Sequence, residues 1–139
     1  MTPTFIVDCS ITMAWCFADE RSAETAALQE RLADEAALVP THWALEVANV
    51  LAMAEKRKRI SAADSRRFVE LLGVVDIQVD DQIAARTFDH ILPLCRAHSL
   101  TSYDAAYLDL AVRRQLPLAT LDEDLRRAAE NLNVVLLGQ

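Results

Sequence analysis

Glycine is almost missing from this 139-residue chain; only Gly73 and Gly138 occur. A phosphate cradle of the form G-x-x-x-x-G-K-[ST] or G-x-G-x-x-G therefore cannot be built, which excludes a P-loop NTPase and a dinucleotide-dependent oxidoreductase. Cysteine is sparse. Cys9, Cys16 and Cys95 form no C-x-x-C pair, and the odd count argues against a disulfide framework. The three histidines, His42, His90 and His98, show no H-E-x-x-H spacing, which argues against a zinc site and reads them as ordinary polar or interface residues. No run approaches the ~18 consecutive apolar residues of a membrane span. The N-terminus lacks a basic segment followed by a long apolar one, so neither a membrane segment nor a secretory leader is expected, and the expected location is the cytoplasm. Positive charge is also scarce. Fourteen Lys and Arg face twenty-one Asp and Glu, a formal net charge of −7. A general nucleic-acid coater needs the opposite balance, although a nucleic-acid enzyme with clustered basic residues remains open.

What the chain has is a hydrophobic content of 53%, sufficient for one core. We read residues 1–139 as a single domain. The run Thr4–Ser10, T-F-I-V-D-C-S, is its organising stretch. Phe5, Ile6 and Val7 read as a strand buried on both faces, as in a parallel sheet. Asp8 then falls at that strand's carboxyl end, the edge where open α/β sheets bind ligands.

Further along, helices are expected over Ser10–Phe17, Ser22–Glu35, Thr41–Lys58, Ser61–Leu72, Asp80–His98, Ser102–Arg114 and Asp122–Asn131. Strands are expected at Ala37–Val39, within V-D-I-Q-V around Ile77 and Val79, at Leu116–Thr120 and at Asn133–Leu137. Ser61–Asp64 and Thr101–Asp104 both fit a capping box, and Pro93 should kink or divide its helix. Alternating strands and helices imply an α/β fold, a central parallel sheet with helices on both faces.

Four acids stand out. Asp8 and Asp122 follow predicted strands and precede helices, where capping alone would explain them. Asp104 opens a helix that should start near the same edge. Glu46 lies in W-A-L-E-V-A-N-V-L among apolar neighbours, where a charge is rarely buried unless paired or metal-bound. Asn49 shares its helix face. Two like charges ~4 Å apart repel by roughly 4 kcal/mol at an effective dielectric of 20. Four converging carboxylates would therefore take up protons or hold cations. An oxygen-only set suits Mg²⁺ or Mn²⁺, whose chemistry is phosphodiester hydrolysis. Ser10 and Thr120 flank the acids and could hold a carboxylate in place, or simply bond local backbone. The run Lys56-Arg57-Lys58-Arg59 is the strongest positive feature. It is read either as a solvated helix end or as a contact for an RNA backbone.

V-D-C-S at Val7–Ser10, E-V-A-N-V-L at Glu46–Leu51, T-S-Y-D-A-A-Y-L at Thr101–Leu108 and L-P-L-A-T-L-D at Leu116–Asp122 occur in one order across nearly the whole chain. This set resembles the PIN domain and, within it, the VapC-type toxins of bacterial toxin–antitoxin pairs. The resemblance implies a three-layer α/β/α sandwich and a Mg²⁺- or Mn²⁺-dependent endoribonuclease. It implies that Asp8, Glu46, Asp104 and Asp122 bind the metal, with Asp124 a candidate for a fifth acid. It also implies a homodimer and a small antitoxin protein as partner. The alanine-rich helices Ser22–Glu35 and Thr41–Lys58 are candidates to line a groove for such a partner. The competing reading is a non-hydrolytic signalling or binding module, receiver-like or a catalytically silent PIN-like domain. Against a receiver, only one acid follows the first strand, and the only lysines are Lys56 and Lys58.

Overall fold

A computed structural model describes residues 1–139. Five strands form one sheet in the order β3-β2-β1-β4-β5, and every pairing is parallel. They are β1 (Pro3–Val7), β2 (Ala36–Pro40), β3 (Ile77–Asp80), β4 (Leu118–Ala119) and β5 (Leu136–Leu137). Eight α-helices accompany them: α1 (Cys9–Cys16), α2 (Ala23–Arg31), α3 (Trp43–Lys56), α4 (Ala62–Val74), α5 (Ile83–Arg86), α6 (Leu92–His98), α7 (Ser102–Arg114) and α8 (Glu123–Asn131). Helices cover both faces of the sheet, giving the expected α/β sandwich. No helix is long and apolar enough to cross a membrane.

The strand order dictates where a site can form. From β1 the chain winds outward to β2 and β3, then returns to add β4 and β5 on the other side. The direction of winding reverses between β1 and β4. Connections leaving in opposite directions diverge there and open a crevice at the strands' carboxyl ends. Asp8 follows β1, and Thr120–Asp122 follow β4.

β1 sits at the centre because Phe5, Ile6 and Val7 are wholly buried, as an apolar run without alternation requires. Below the sheet edge, Trp43 on α3 donates its indole N–H to Thr12 Oγ1 at 2.9 Å, and the Thr12 hydroxyl donates to the Asp8 carbonyl at 2.9 Å. This chain of bonds ties α3 to the start of α1.

Some expected boundaries move. The helix expected over Ser22–Glu35 stops at Arg31, and Glu35 is instead held by Arg31 and Thr4. The strands expected at Leu116–Thr120 and Asn133–Leu137 shrink to two residues each. β3 is an edge strand, with Val79 exposed. The helix expected over Asp80–His98 begins at Ile83 and is divided ahead of Pro93. A π-helical turn over Thr87–Ile91 lets the Leu92 N–H reach the Thr87 carbonyl, and Pro93 falls in the first turn of α6. Pro93 has no N–H to give and is tolerated in a first turn, where none is needed.

Candidate active site

The crevice is stitched together by two hydroxyls. Ser10 Oγ donates to Asp8 Oδ1 at 2.6 Å and accepts from the Leu121 N–H at 2.9 Å. Thr120 Oγ1 donates to Asp8 Oδ2 at 2.5 Å and accepts from the Asp122 N–H at 3.0 Å. The ends of β1 and β4, more than a hundred residues apart in sequence, are thereby locked through one carboxylate. Both hydroxyls hold the carboxylate, and Thr120 also bonds local backbone, so for Thr120 the two readings are realised together.

Asp8 also caps α1, accepting from the Ile11 N–H at 3.1 Å, and Asp122 caps α8 through the Leu125 N–H at 2.8 Å. Capping is thus real for both. It does not exhaust them, because no cation pairs with either carboxylate. Burial pushes Asp8 up to about 6, against the pull of its bonds from Ser10, Thr120 and Ile11, and the charge of Glu46 adds to the rise.

Asp104 departs from its expected capping box. Thr101 Oγ1 accepts from the Asp104 N–H at 3.2 Å, but the Asp104 carboxylate does not reach back. In α4 the equivalent pair, Ser61 and Asp64, bonds in both directions. The Asp104 carboxylate is left half-buried and free of capping bonds. Burial, then the charges of Asp122, Asp8, Glu46 and Asp124, push it up to about 6. The charges that raise Asp104 come from the end of β1, from α3 and from the start of α8.

Glu46 reaches the group from α3. Its Oε1 accepts a 2.7 Å bond from the Tyr107 hydroxyl and lies 3.5 Å from His42 Nε2. Tyr107 is 1% exposed, and burial, then the Glu46 charge, hold its phenol protonated far above the ordinary range. Tyr107 and His42 are residues that sequence reasoning missed. A signal existed for each: His42 is one turn before Glu46, and Tyr107 one turn after Asp104. His42, expected as an ordinary polar or interface residue, lies at the contact between α3 and α7. Its Nε2–H donates to the Tyr103 carbonyl at 3.0 Å, since a carbonyl can only accept.

Other candidates lie further out. Asp124 is exposed and takes a 2.9 Å bond from Arg127. Asn49 is exposed on α3 beside Glu46. The basic run ends α3, but Arg59 is not free to meet a phosphate. Its guanidinium bonds Asp19 and Glu20 at 2.7 and 2.9 Å and stacks over Phe17 at 3.7 Å. Cys9 offers no nucleophile, because burial, then Glu46 and Asp8, push its thiol up to about 12.

No three Asp, Glu, His or Cys side chains converge tightly enough to form a ready-made metal cage. The donor set nonetheless fits Mg²⁺ or Mn²⁺. It is all oxygen and lacks an internal counter-charge. Mg²⁺ keeps several waters and takes one or two carboxylates plus substrate oxygens rather than a closed protein cage.

The molecule is therefore a doubly wound α/β protein with an acidic site at its topological switch point. More particularly, the chain belongs to the PIN domain family, whose model matches residues 5–131. PIN domains are generally nucleases that use divalent metals. The fold is similar to the crystal structure of PAE2754 from Pyrobaculum aerophilum, with a TM-score of 0.72 and 21% identity over 98% of this chain and 92% of that one. No curated protein matches.

Proposed function

We propose that this protein is a metal-dependent endoribonuclease hydrolysing RNA phosphodiester bonds, and the toxin of a toxin–antitoxin pair. One observation carries the nuclease reading: the buried Asp8 and the partly buried Glu46, Asp104 and Asp122 stand at the switch point with no Lys or Arg paired to any of them. Asp8, Glu46, Asp104 and Asp122 would hold the metal, with Asp124 at the rim. Bound there, Mg²⁺ or Mn²⁺ would supply counter-charge to the phosphate and lower the pKa of a water. The chain's own part is preorganisation. Ser10 and Thr120 fix both oxygens of Asp8, Tyr107 fixes one oxygen of Glu46, and the open Asp104 carboxylate is left for the metal or its water. No protein nucleophile is needed, consistent with the Cys9 thiol staying protonated.

A groove supports the antitoxin reading. A cavity of about 740 Å³ lies between α3 and α4, with Val47, Leu51, Val69 and Leu72 among its lining residues. These lining residues come from α3 and α4. A partner helix could dock its apolar face there. The homodimer is part of the same proposal.

The test is cleavage of total cellular RNA by the purified protein in Mg²⁺, in EDTA, and as folded Asp8→Asn. Discrete fragments that need both metal and Asp8 are expected. A folded wild-type protein that binds Mg²⁺ and cuts nothing would return the weight to a signalling or binding module. Binding of the product of the neighbouring reading frame tests the antitoxin separately.

A further inference from the structure

A second cavity adjoins the acids. It measures about 520 Å³ and is lined by His42, Leu45, Glu46, Ala48, Asn49 and Tyr103. Glu46 is shared with the acid cluster, and Tyr103 directly precedes Asp104, so the two sites are continuous. The rim carries two large apolar side chains that folding leaves outside: Leu45 is 75% exposed and Tyr103 is 62% exposed.

The Tyr103 ring is not on a mobile loop. It stands in the first turn of α7, and its carbonyl is held by His42 on the residue before α3. The His42 ring lies 6.0 Å from the Tyr103 ring and 5.1 Å from that of Tyr107. This aromatic contact pins the start of α3 to the start of α7. Tyr103 thus offers its ring to solvent from an anchored helix turn at the mouth of the acidic crevice.

The electrostatics select the occupant. No Lys or Arg lines this cavity, and Glu46 forms part of its wall. A phosphate is repelled there. What fits is a neutral, flat group with a π-face and a hydrogen-bonding edge. Aromatic side chains stack such groups irrespective of sequence, and an Asn amide offers one donor and one acceptor to a base edge. The volume lies within the range of small-molecule sites.

We propose that this cavity is a nucleobase subsite. It takes an unstacked base of single-stranded RNA, stacked on Tyr103 with its edge toward Asn49, next to the phosphate at the acid cluster. The proposal rests on the nuclease reading for its substrate class, and deepens it by naming the feature that would require unpaired RNA.

The experiment uses the full chain and fluorescein-labelled ten-residue oligo(A), oligo(U), oligo(C) and oligo(G) in Mg²⁺. Affinity is read by anisotropy in an Asp8→Asn background, so that nothing is cut. Tyr103→Ala is expected to weaken the tightest of these by at least about fivefold, the low end for loss of one base stack. Tyr103→Trp should retain affinity, and its indole fluorescence should be quenched on binding; Trp15 and Trp43 are buried and provide the background. Unchanged affinity in Tyr103→Ala, or an unquenched Tyr103→Trp, overturns the subsite. So does a sedimentation result in which Tyr103→Ala or Leu45→Ala turns a dimer into a monomer while RNA affinity holds, since the patch then faces a second copy. Cleavage by wild type is scored independently. Asp8-dependent cleavage with a silent Tyr103 removes the subsite and leaves the nuclease, whereas quenching without cleavage removes the nuclease and leaves the subsite.

Discussion

Helix α7 joins two groups of acids that the fold treats in opposite ways. In its first turn, Asp104 faces Asp8, Glu46 and Asp122 without a cation. In its middle and last turns, the acids are compensated. Arg86 grips Asp109 through Nε and Nη2 at 2.7 and 2.9 Å, and Arg113 and Arg114 approach Asp80 at 2.7 and 3.5 Å. Burial pushes Asp80 upward too, but the Arg113 bond, the Gln82 N–H and the two arginine charges outweigh it, so its carboxyl is held below the usual range. Asp8 and Asp104 are instead raised. A charge neutralised within the chain is a structural part. A buried charge left without a partner is a place for a cation or proton from outside.

The largest effect that would sharpen this contrast is at Asp8. Asp8→Asn should lower RNA cleavage by more than about a hundredfold, exceeding the ~10–100-fold typical of groups that support a metal ligand. Asn caps a helix as well as Asp but its NH2 cannot accept the Thr120 hydroxyl, so thermal unfolding without metal should show only a small loss, about 1 kcal/mol. A large destabilisation would mean that Asp8 is chiefly structural and would break the contrast. Next comes Tyr107→Phe, which removes the donor to Glu46 and nothing else. Mn²⁺ affinity, read by titration calorimetry, should fall about 10–100-fold, with a stability cost of about 1 kcal/mol.

Asp80→Ala should behave in the reverse manner. Removing one partner of a half-buried ion pair should destabilise the fold by about 1–3 kcal/mol in denaturant unfolding, discounted from the fully buried case for solvent screening. Cleavage by the folded fraction should be unchanged.

The pH dependence separates the two regions by sign. For Asp8 and Asp104 the folded value of about 6 exceeds the ordinary 3.8, so between these values the folded state binds more protons. Their contribution is greatest below the ordinary value and is lost as pH rises through about 6. Asp80, lowered in the folded state, contributes above the ordinary value and loses that contribution as the solution is acidified. Thermal melts in EDTA should therefore lose a few degrees as pH rises from 4.5 to 7 in wild type. The loss should be smaller in Asp8→Asn and relieved by Mg²⁺ at the upper end. The smallest effect is at Arg59. Arg59→Ala should leave RNA affinity unchanged and the melting temperature nearly so, as expected of a solvent-screened ion pair.

Much of this was legible in the chain. The unbroken apolar run of β1 required burial on both faces, and an acid directly after such a strand must stand at the sheet's edge. The ordered motifs identified the fold class, and they named Asp8, Glu46, Asp104 and Asp122, of which Asp8 and Asp122 stand at the ends of β1 and β4 as the strand–helix alternation required. Local pattern could not distinguish Thr101–Asp104 from Ser61–Asp64. Both read as capping boxes, yet only Asp64 closes its bond. Nor could it show that Arg59 would turn to Asp19 and Glu20, or that α4 would wall a groove with α3.

The sequence by itself determined the strand–helix alternation, the buried first strand and the acids at element ends, because hydrophobic period and capping chemistry are local. Only the tertiary structure decided which acids go uncompensated. The strand order places β4 beside β1, so Thr120 can reach Asp8, Tyr107 can reach Glu46, and the arginines of α7 are spent on Asp80 instead. Pairing between residues more than thirty positions apart is a property of the winding of the sheet, and local pattern carries no record of it.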